Sequence, residues 1–475
     1  MTANRPRPLP LVIGGGVCLA VLAVAYARVG CFLDDWLHLA LARAMPHPFD
    51  PFFHDRMLGA FFRPLGVAWW WLWAHLGDPG TAVRHLLALA LHTGGAAVLG
   101  LAVRAWRNDD RAGWFAGLLW LTSPLALACV GWLSCAYDLL AALFISLTLW
   151  RALLFVKNGR RGELPLIVAF TLAACWSKES AYVLPLLALP LLVTTQEADN
   201  KRTLSTAGAL ILAVAAAYLH RFAVLGEWLG GYREIAASKT TLGLMPFLAV
   251  LHEQAPGWPL RLALIMLLLL AMMFAVEKNR LPYAAGLAAT AAALLPALLV
   301  LRTPSMLAVM PARYLFPAAL AATFPLACLV EAWPQRRRFV TALLVVLIAS
   351  GAVIGVLSAN VGAKRAAGER AQIDIALDHA RRDLAAGKAV VYETGRRVVG
   401  LDAAVKTIDP TLMGQITVVN CGFPTHIVVS AEDGERWRPY WSPRLPANPS
   451  RGFGLLWGEV VLSRTHCRLL QEVQP

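Results

Sequence analysis

Apolar stretches recur along this chain, most of them close to a bilayer's thickness when coiled as a helix, beginning with "LPLVIGGGVCLAVLAVAYA" at 9–27. About twenty helical residues rise about 30 Å, the depth of the hydrocarbon core. No water reaches the backbone there, so such a run must satisfy its own N–H and C=O groups by forming a helix. Similar runs follow at 82–103, 112–130, 132–150, 164–177, 180–193, 204–222, 260–276, 281–301, 312–330 and 339–357. The expected fold class is an α-helical polytopic membrane protein with about eleven transmembrane helices. Only 15% of the residues are charged and 58% are hydrophobic, whereas soluble domains carry about 25% charged residues. The first run lacks a small-residue cleavage site and reads as a retained anchor, not a cleaved signal.

A net charge of +14 would suit a nucleic-acid partner if the basic residues formed one surface. Instead they fall in short clusters between apolar runs, which sets topology, and no nucleic-acid partner is expected. With Arg5 and Arg7 in the cytoplasm, one alternation places Arg104, Arg107 and Arg111, then Arg151, Lys157, Arg160 and Arg161, then Lys201 and Arg202, then Lys278 and Arg280, then Arg336, Arg337 and Arg338 on the same side. This requires segment 240–254 to lie along the surface or to dip in and out. Arginine far outnumbers lysine and alanine is abundant, as in a GC-rich bacterial genome. The expected location is a bacterial inner (plasma) membrane, crossed many times and surrounded by membrane lipids.

The opposite face then receives the first large loop, 28–81, with Asp34, Asp35, His54, Asp55 and Arg63. It also receives Lys178 and Glu179 of "WSKES", and Arg302 and Arg313. An ionisable group at mid-bilayer costs about 2.5 to 3.5 kcal/mol on insertion scales, so such groups line a cavity or pair with one another. One polar cavity open to the periplasm is expected. Residues 1–358 form the membrane domain on this reading, and 359–475 a small extracytoplasmic α+β domain. Segment 362–386 reads as an amphipathic helix, and "KAVVYE", "GQITVVN", "HIVVS" and "GEVVLSR" as strands. Six cysteines lie in or beside apolar runs. Cys421 and Cys467 lie in the polar tail, where an oxidising compartment permits a disulfide that spacing alone does not demonstrate.

In order along the chain come "LDDW", "FFRPLGVAWWWLWAHLGDPGTAVRHLLALALH", "VGWLSCAYDLLAALF", "CWSKESAYVLPLL" and "ARYLFPAALA". This series resembles the GT-C class of polytopic glycosyltransferases, specifically the branch related to protein O-mannosyltransferases. It covers about the first 330 residues; no single motif is specific, and the order carries the resemblance. What it implies is transfer of a sugar from a polyprenyl-phosphate donor to an extracytoplasmic acceptor, a protein or a glycan. Breaking the bond to the lipid phosphate develops positive charge on the sugar and negative charge on the leaving group, while the attacking hydroxyl loses a proton. A carboxylate near the acceptor and cations near the phosphate are therefore required.

Asp34 matches the acidic position after the first span and is the expected general base, with Asp35 orienting it or binding acceptor. Adjacent carboxylates repel, so a cation, a metal or a proton must stand close, and His38 lies one turn away. Alternatively, the two acids cap an interfacial helix, "DDWLHLALARAM". Arg313 either clamps the donor phosphate or snorkels beside Tyr314. Lys178 offers a second cation, and Glu179 would pair with it, hold Arg63 or ligate a metal. Arg63 precedes Pro64, a good first residue for a short aromatic helix, and either reaches the cavity or caps the acidic loop. His54 and Asp55 bind acceptor or metal, or share a loop hydrogen bond. His85 and His92 lie on one helical face, as packing or substrate contacts. Two positions depart from the family pattern: Ala88 replaces an Asn, and Ala136 replaces an Arg that would partner Asp138. A divalent metal ion is left open.

Two other classes compete. A transporter or flippase for a lipid-linked or anionic solute would line its path with the same charges, but the sequence shows no clear internal repeat and the charges gather at one face. A membrane scaffold carrying a sensor domain would not need both Asp34 and Arg313.

Overall fold

The computed structural model describes residues 9–31, 35–55, 61–75, 80–196, 198–228, 280–300, 311–332, 337–385, 390–393, 404, 407–412, 416–420 and 426–428. Asp34, Arg302, segment 240–254, the run 260–276, Cys421, Cys467 and the strand expected in "GEVVLSR" lie outside them. The chain divides into two compact units, residues 1–29, 62–66 and 80–362, and residues 30–61, 67–79 and 363–475.

The first unit is built from helices. They are α1 (Leu9–Tyr26), α4 (Gly80–Arg107), α5 (Asp110–Leu121), α6 (Pro124–Val130), α7 (Ala136–Asn158), α8 (Glu163–Ser177), α9 (Leu184–Val193), α10 (Asn200–Leu225), α11 (Arg280–Val300), α12 (Pro311–Ala332) and the first part of α13 (Arg337–Ala385). Among the described residues, four helical stretches, Gly80–Arg107, Leu133–Asn158, Asn200–Leu225 and Arg338–Ile375, are long and apolar enough to cross a membrane, and the bent pair α5 and α6 makes a fifth if it is one broken span. Their outer faces are apolar too: Leu204 is 76% and Leu212 72% exposed on α10. Apolar side chains on the outside as well as the inside mark a chain dissolved in lipid, and the protein is a multi-pass membrane protein.

Between lipid-soaked helices, close backbone approach replaces the hydrophobic effect as the main attraction. Helices α4 and α5 cross on glycines. A Cβ at Gly113 would stand 2.7 Å from the Gly100 carbonyl oxygen, and one at Gly117 would stand 3.0 Å from that of Ala96. Pro124, with no N–H to give, breaks the following span into two helices at 51°. Carbonyls at the ends of α5 and α6 take imidazole partners from α4: His92 Nε2 lies 3.0 Å from the Leu121 oxygen, beside the break, and His85 Nδ1 lies 3.0 Å from that of Val130. The Tyr26 hydroxyl donates to the Leu127 carbonyl at 2.7 Å and lies 3.3 Å from that of Gly355, joining α1, α6 and α13. At the end of α7, Gly159 adopts φ +67°, the left-handed conformation a helix terminus favours. Asp199 caps α10, its carboxylate accepting from the Arg202 N–H at 3.0 Å.

The second unit holds α2 (Asp35–Ala44), most of α3 (Pro64–His75), the later turns of α13 and a three-stranded sheet. Helix α3 opens at Pro64, whose missing N–H is harmless in a first turn. In the sheet, β1 (Val390–Glu393) pairs parallel with β2 (Ile416–Asn420), Val390 opposite Ile416, and β2 pairs antiparallel with β3 (His426–Val428), Val418 opposite Val428. The first loop and the tail belong together here: Arg43 donates to the Thr407 carbonyl at 2.8 Å, and Trp71 donates to that of Met45 at 3.1 Å. Segment 362–386 is not a separate helix but continues the last apolar run, because no proline interrupts "AKRAAGERAQIDIALDHARRDLA".

Candidate active site

Five ionisable side chains meet inside the first unit. Asp138 lies in the first turn of α7, where a carboxylate complements the positive end of the helix. Lys178 ends α8 in extended conformation, with φ −161° and ψ 144°. That extended residue turns the chain into the short 3-10 turn Glu179–Val183 and carries Glu179 alongside. Arg313 and Tyr314 open α12, and Arg63 precedes the proline that starts α3.

Lys178 Nζ donates to Asp138 Oδ1. Arg313 Nε stands 3.7 Å from Oδ2 of the same carboxylate. Arg63 Nε donates to Glu179 Oε2 at 2.8 Å. The Asp138 side chain is 1% exposed, Lys178 4% and Arg313 13%. Aromatic faces close around the cations. The Arg313 guanidinium lies 5.2 Å from the ring centre of Trp132 and 5.8 Å from that of Tyr314, while Arg63 lies 5.5 Å from Tyr137 and Lys178 Nζ 5.8 Å from Tyr314. Such contacts contribute about 0.5 to 2 kcal/mol each, more as water is excluded.

Within this cluster of described residues, three cations face two carboxylates. Ion pairs this deep are weak stabilisers, since desolvation offsets most of their attraction. What the arrangement offers is a set of fixed cations with aromatic walls, groups that can bind an anion.

The structure thus gathers Arg63, Lys178, Glu179, Arg313 and Tyr314. Of the roles open to Glu179, it holds Arg63. Asp138, lacking an arginine at Ala136, takes Lys178 and Arg313 instead. Its part in the cluster was not foreseen, nor were those of Tyr137 and Trp132; a carboxylate inside an apolar span was the available signal. His85, fully buried, bonds the Val130 carbonyl.

The remaining candidates lie in the second unit. Asp35 is the first residue of α2 and fully buried. His38 stacks on Trp70 with ring centres 5.3 Å apart. His54, 65% exposed, lies 3.1 Å from Asp50, and Asp55 is half-buried. Among the described residues no three His, Cys, Asp or Glu side chains converge as metal ligands.

No protein-family model matches the chain, and no curated protein matches it. Among solved structures, the crystal structure of ArnT from Cupriavidus metallidurans bound to undecaprenyl phosphate is similar over 89% of this chain and 87% of that one, with a TM-score of 0.52 and 15% identity. The fold is GT-C. At that identity the likeness concerns backbone architecture, and function must be argued from side chains. On this GT-C frame the ionic cluster joins the starts of α7 and α12 to the end of α8.

Proposed function

We propose that the protein transfers a hexosyl or pentosyl group from a polyprenyl-phosphate donor to an extracytoplasmic protein, glycolipid or polysaccharide. The observation that carries this reading is the convergence of Arg63, Lys178 and Arg313 within aromatic walls. The ArnT structure of similar fold was solved with undecaprenyl phosphate, a ligand whose headgroup has the charge this cluster would take.

In the proposed reaction, Arg313 and Lys178 hold the donor phosphate, assisted by Arg63, which Glu179 orients. The acceptor oxygen forms a bond to the anomeric carbon as the bond from that carbon to the phosphate oxygen breaks. The electron pair leaves with the lipid phosphate, where the cations stabilise it, and the acceptor proton passes to Asp34. Asp35 orients Asp34 or binds acceptor, while His38, His54, Asp55 and Tyr314 serve substrate contacts. A single displacement inverts the anomeric centre. The proposal includes about eleven crossings, a bacterial inner membrane, a catalytic membrane domain at 1–358 with its site facing the periplasm, and a periplasmic α+β domain at 359–475 that selects the acceptor.

The test is sugar transfer in proteoliposomes supplied with polyprenyl-phosphate sugars and envelope acceptors, with the wild type beside Asp34→Asn. An enzyme of this kind keeps donor binding in the variant and loses turnover by at least about 10²-fold. Carrier movement across the bilayer without new glycosidic bonds would establish the flippase reading instead.

A further inference from the structure

A cavity lies among α1, α4 and α5, with a volume of about 410 Å³. Its walls are apolar, and its floor is the glycine crossing of α4 on α5. It extends along α4 from Thr93 to Arg104 and along α5 from Asp110 to Leu121. Eleven helical rises correspond to about 16 Å, half the hydrocarbon thickness, so the groove has the depth of one leaflet.

One end has the chemistry of a membrane surface. Arg104 Nε lies 2.7 Å from Asp110 Oδ1, which fixes the guanidinium by one edge, yet the Arg104 side chain stays 60% exposed. Trp114, one turn into α5 and 39% exposed, lines the same end, as tryptophans do at headgroup level. Along the groove, Gly16 is open: a Cβ there would meet nothing within 4 Å. A helix packed against this wall would bring side chains to that opening, whereas a flexible hydrocarbon chain fills it without a matching surface.

We propose that this groove holds one acyl chain of a membrane phospholipid whose phosphate pairs with Arg104. The ligand is a structural lipid of the leaflet at that end, independent of the proposed sugar-transfer site. Depth, the apolar wall and a cation at the rim match a chain joined to a phosphate.

Native mass spectrometry of the full chain in mild detergent, titrated with phosphatidylglycerol, tests this. The wild type should retain one lipid per chain. Gly16→Phe, whose ring enters the groove, should lose it, while Gly208→Phe on α10, where a Cβ also meets nothing within 4 Å, should retain it. Arg104→Gln, an exposed change that leaves the groove intact, should weaken retention about tenfold. Retention at the wild-type level in both Gly16→Phe and Arg104→Gln would overturn the proposal. So would a polyprenyl phosphate or a second copy of the chain displaced by Gly16→Phe in place of phospholipid.

Discussion

Lys178 at the end of α8 grips Asp138 in the first turn of α7, forty residues earlier in the chain, and both are almost wholly out of water. The pair gives the cluster its shape, because the second oxygen of the same carboxylate faces Arg313 at 3.7 Å. A carboxylate between two cations offsets their mutual repulsion.

Replacing Asp138 with Ala therefore takes the carboxylate from buried Lys178 and should cost about 3 to 5 kcal/mol. Thermal unfolding in detergent would read this as a lowered midpoint. Pairing Asp138→Asn with Lys178→Met, which removes both buried charges, should recover much of that loss without restoring donor binding. Recovery of donor binding in the double variant would contradict a phosphate-binding role for Lys178.

Arg313 lies over the rings of both Trp132 and Tyr314, and a planar guanidinium can use those ring faces and a phosphate edge together. Arg313→Lys should weaken binding of a polyprenyl phosphate by about tenfold or more, with little change in stability. Equal affinity of the two proteins, measured by titration calorimetry in detergent, would argue for a snorkelling anchor.

Gly113 should tolerate no side chain. Its Cβ would come within 2.7 Å of the Gly100 carbonyl oxygen, a backbone atom that cannot swing away. Gly113→Val should destabilise the protein by at least about 1 to 3 kcal/mol, whereas Gly94→Val, with its nearest neighbour a side-chain atom at 3.9 Å, should cost less. Equal unfolding midpoints for the two variants would deny that α4 and α5 cross on these glycines.

Asp199 should give stability an acid limb. The hydrogen bond from the Arg202 N–H holds its carboxyl below the usual range. A depressed folded value means that this contribution is complete above the unfolded value, about 3.9, and is lost as the pH falls through the folded one. Asp199→Asn keeps an N-cap that does not titrate. Its unfolding midpoint should therefore converge on that of the wild type as the pH drops from 6 toward about 3. A difference that stays constant over that interval would remove Asp199 from the acid limb.

Membrane residence was legible in the residues alone, because apolar length has one solution in hydrocarbon: the backbone must coil and bond itself. The ordered motifs also pointed to the GT-C architecture, and the break at Pro64 marked where α3 begins. Pairing was not legible. Glu179 follows Lys178 directly, yet it turns away to hold Arg63, while Lys178 reaches Asp138; the extended backbone at Lys178 sends the two side chains apart. The absent arginine at Ala136 left Asp138 without an evident partner, and its partners came from α8 and α12. Hydropathy is a property of one segment and survives outside the fold. Which charges neutralise one another depends on how separate helices cross, and that is set by glycine contacts, a proline break and side-chain packing distributed over the whole chain.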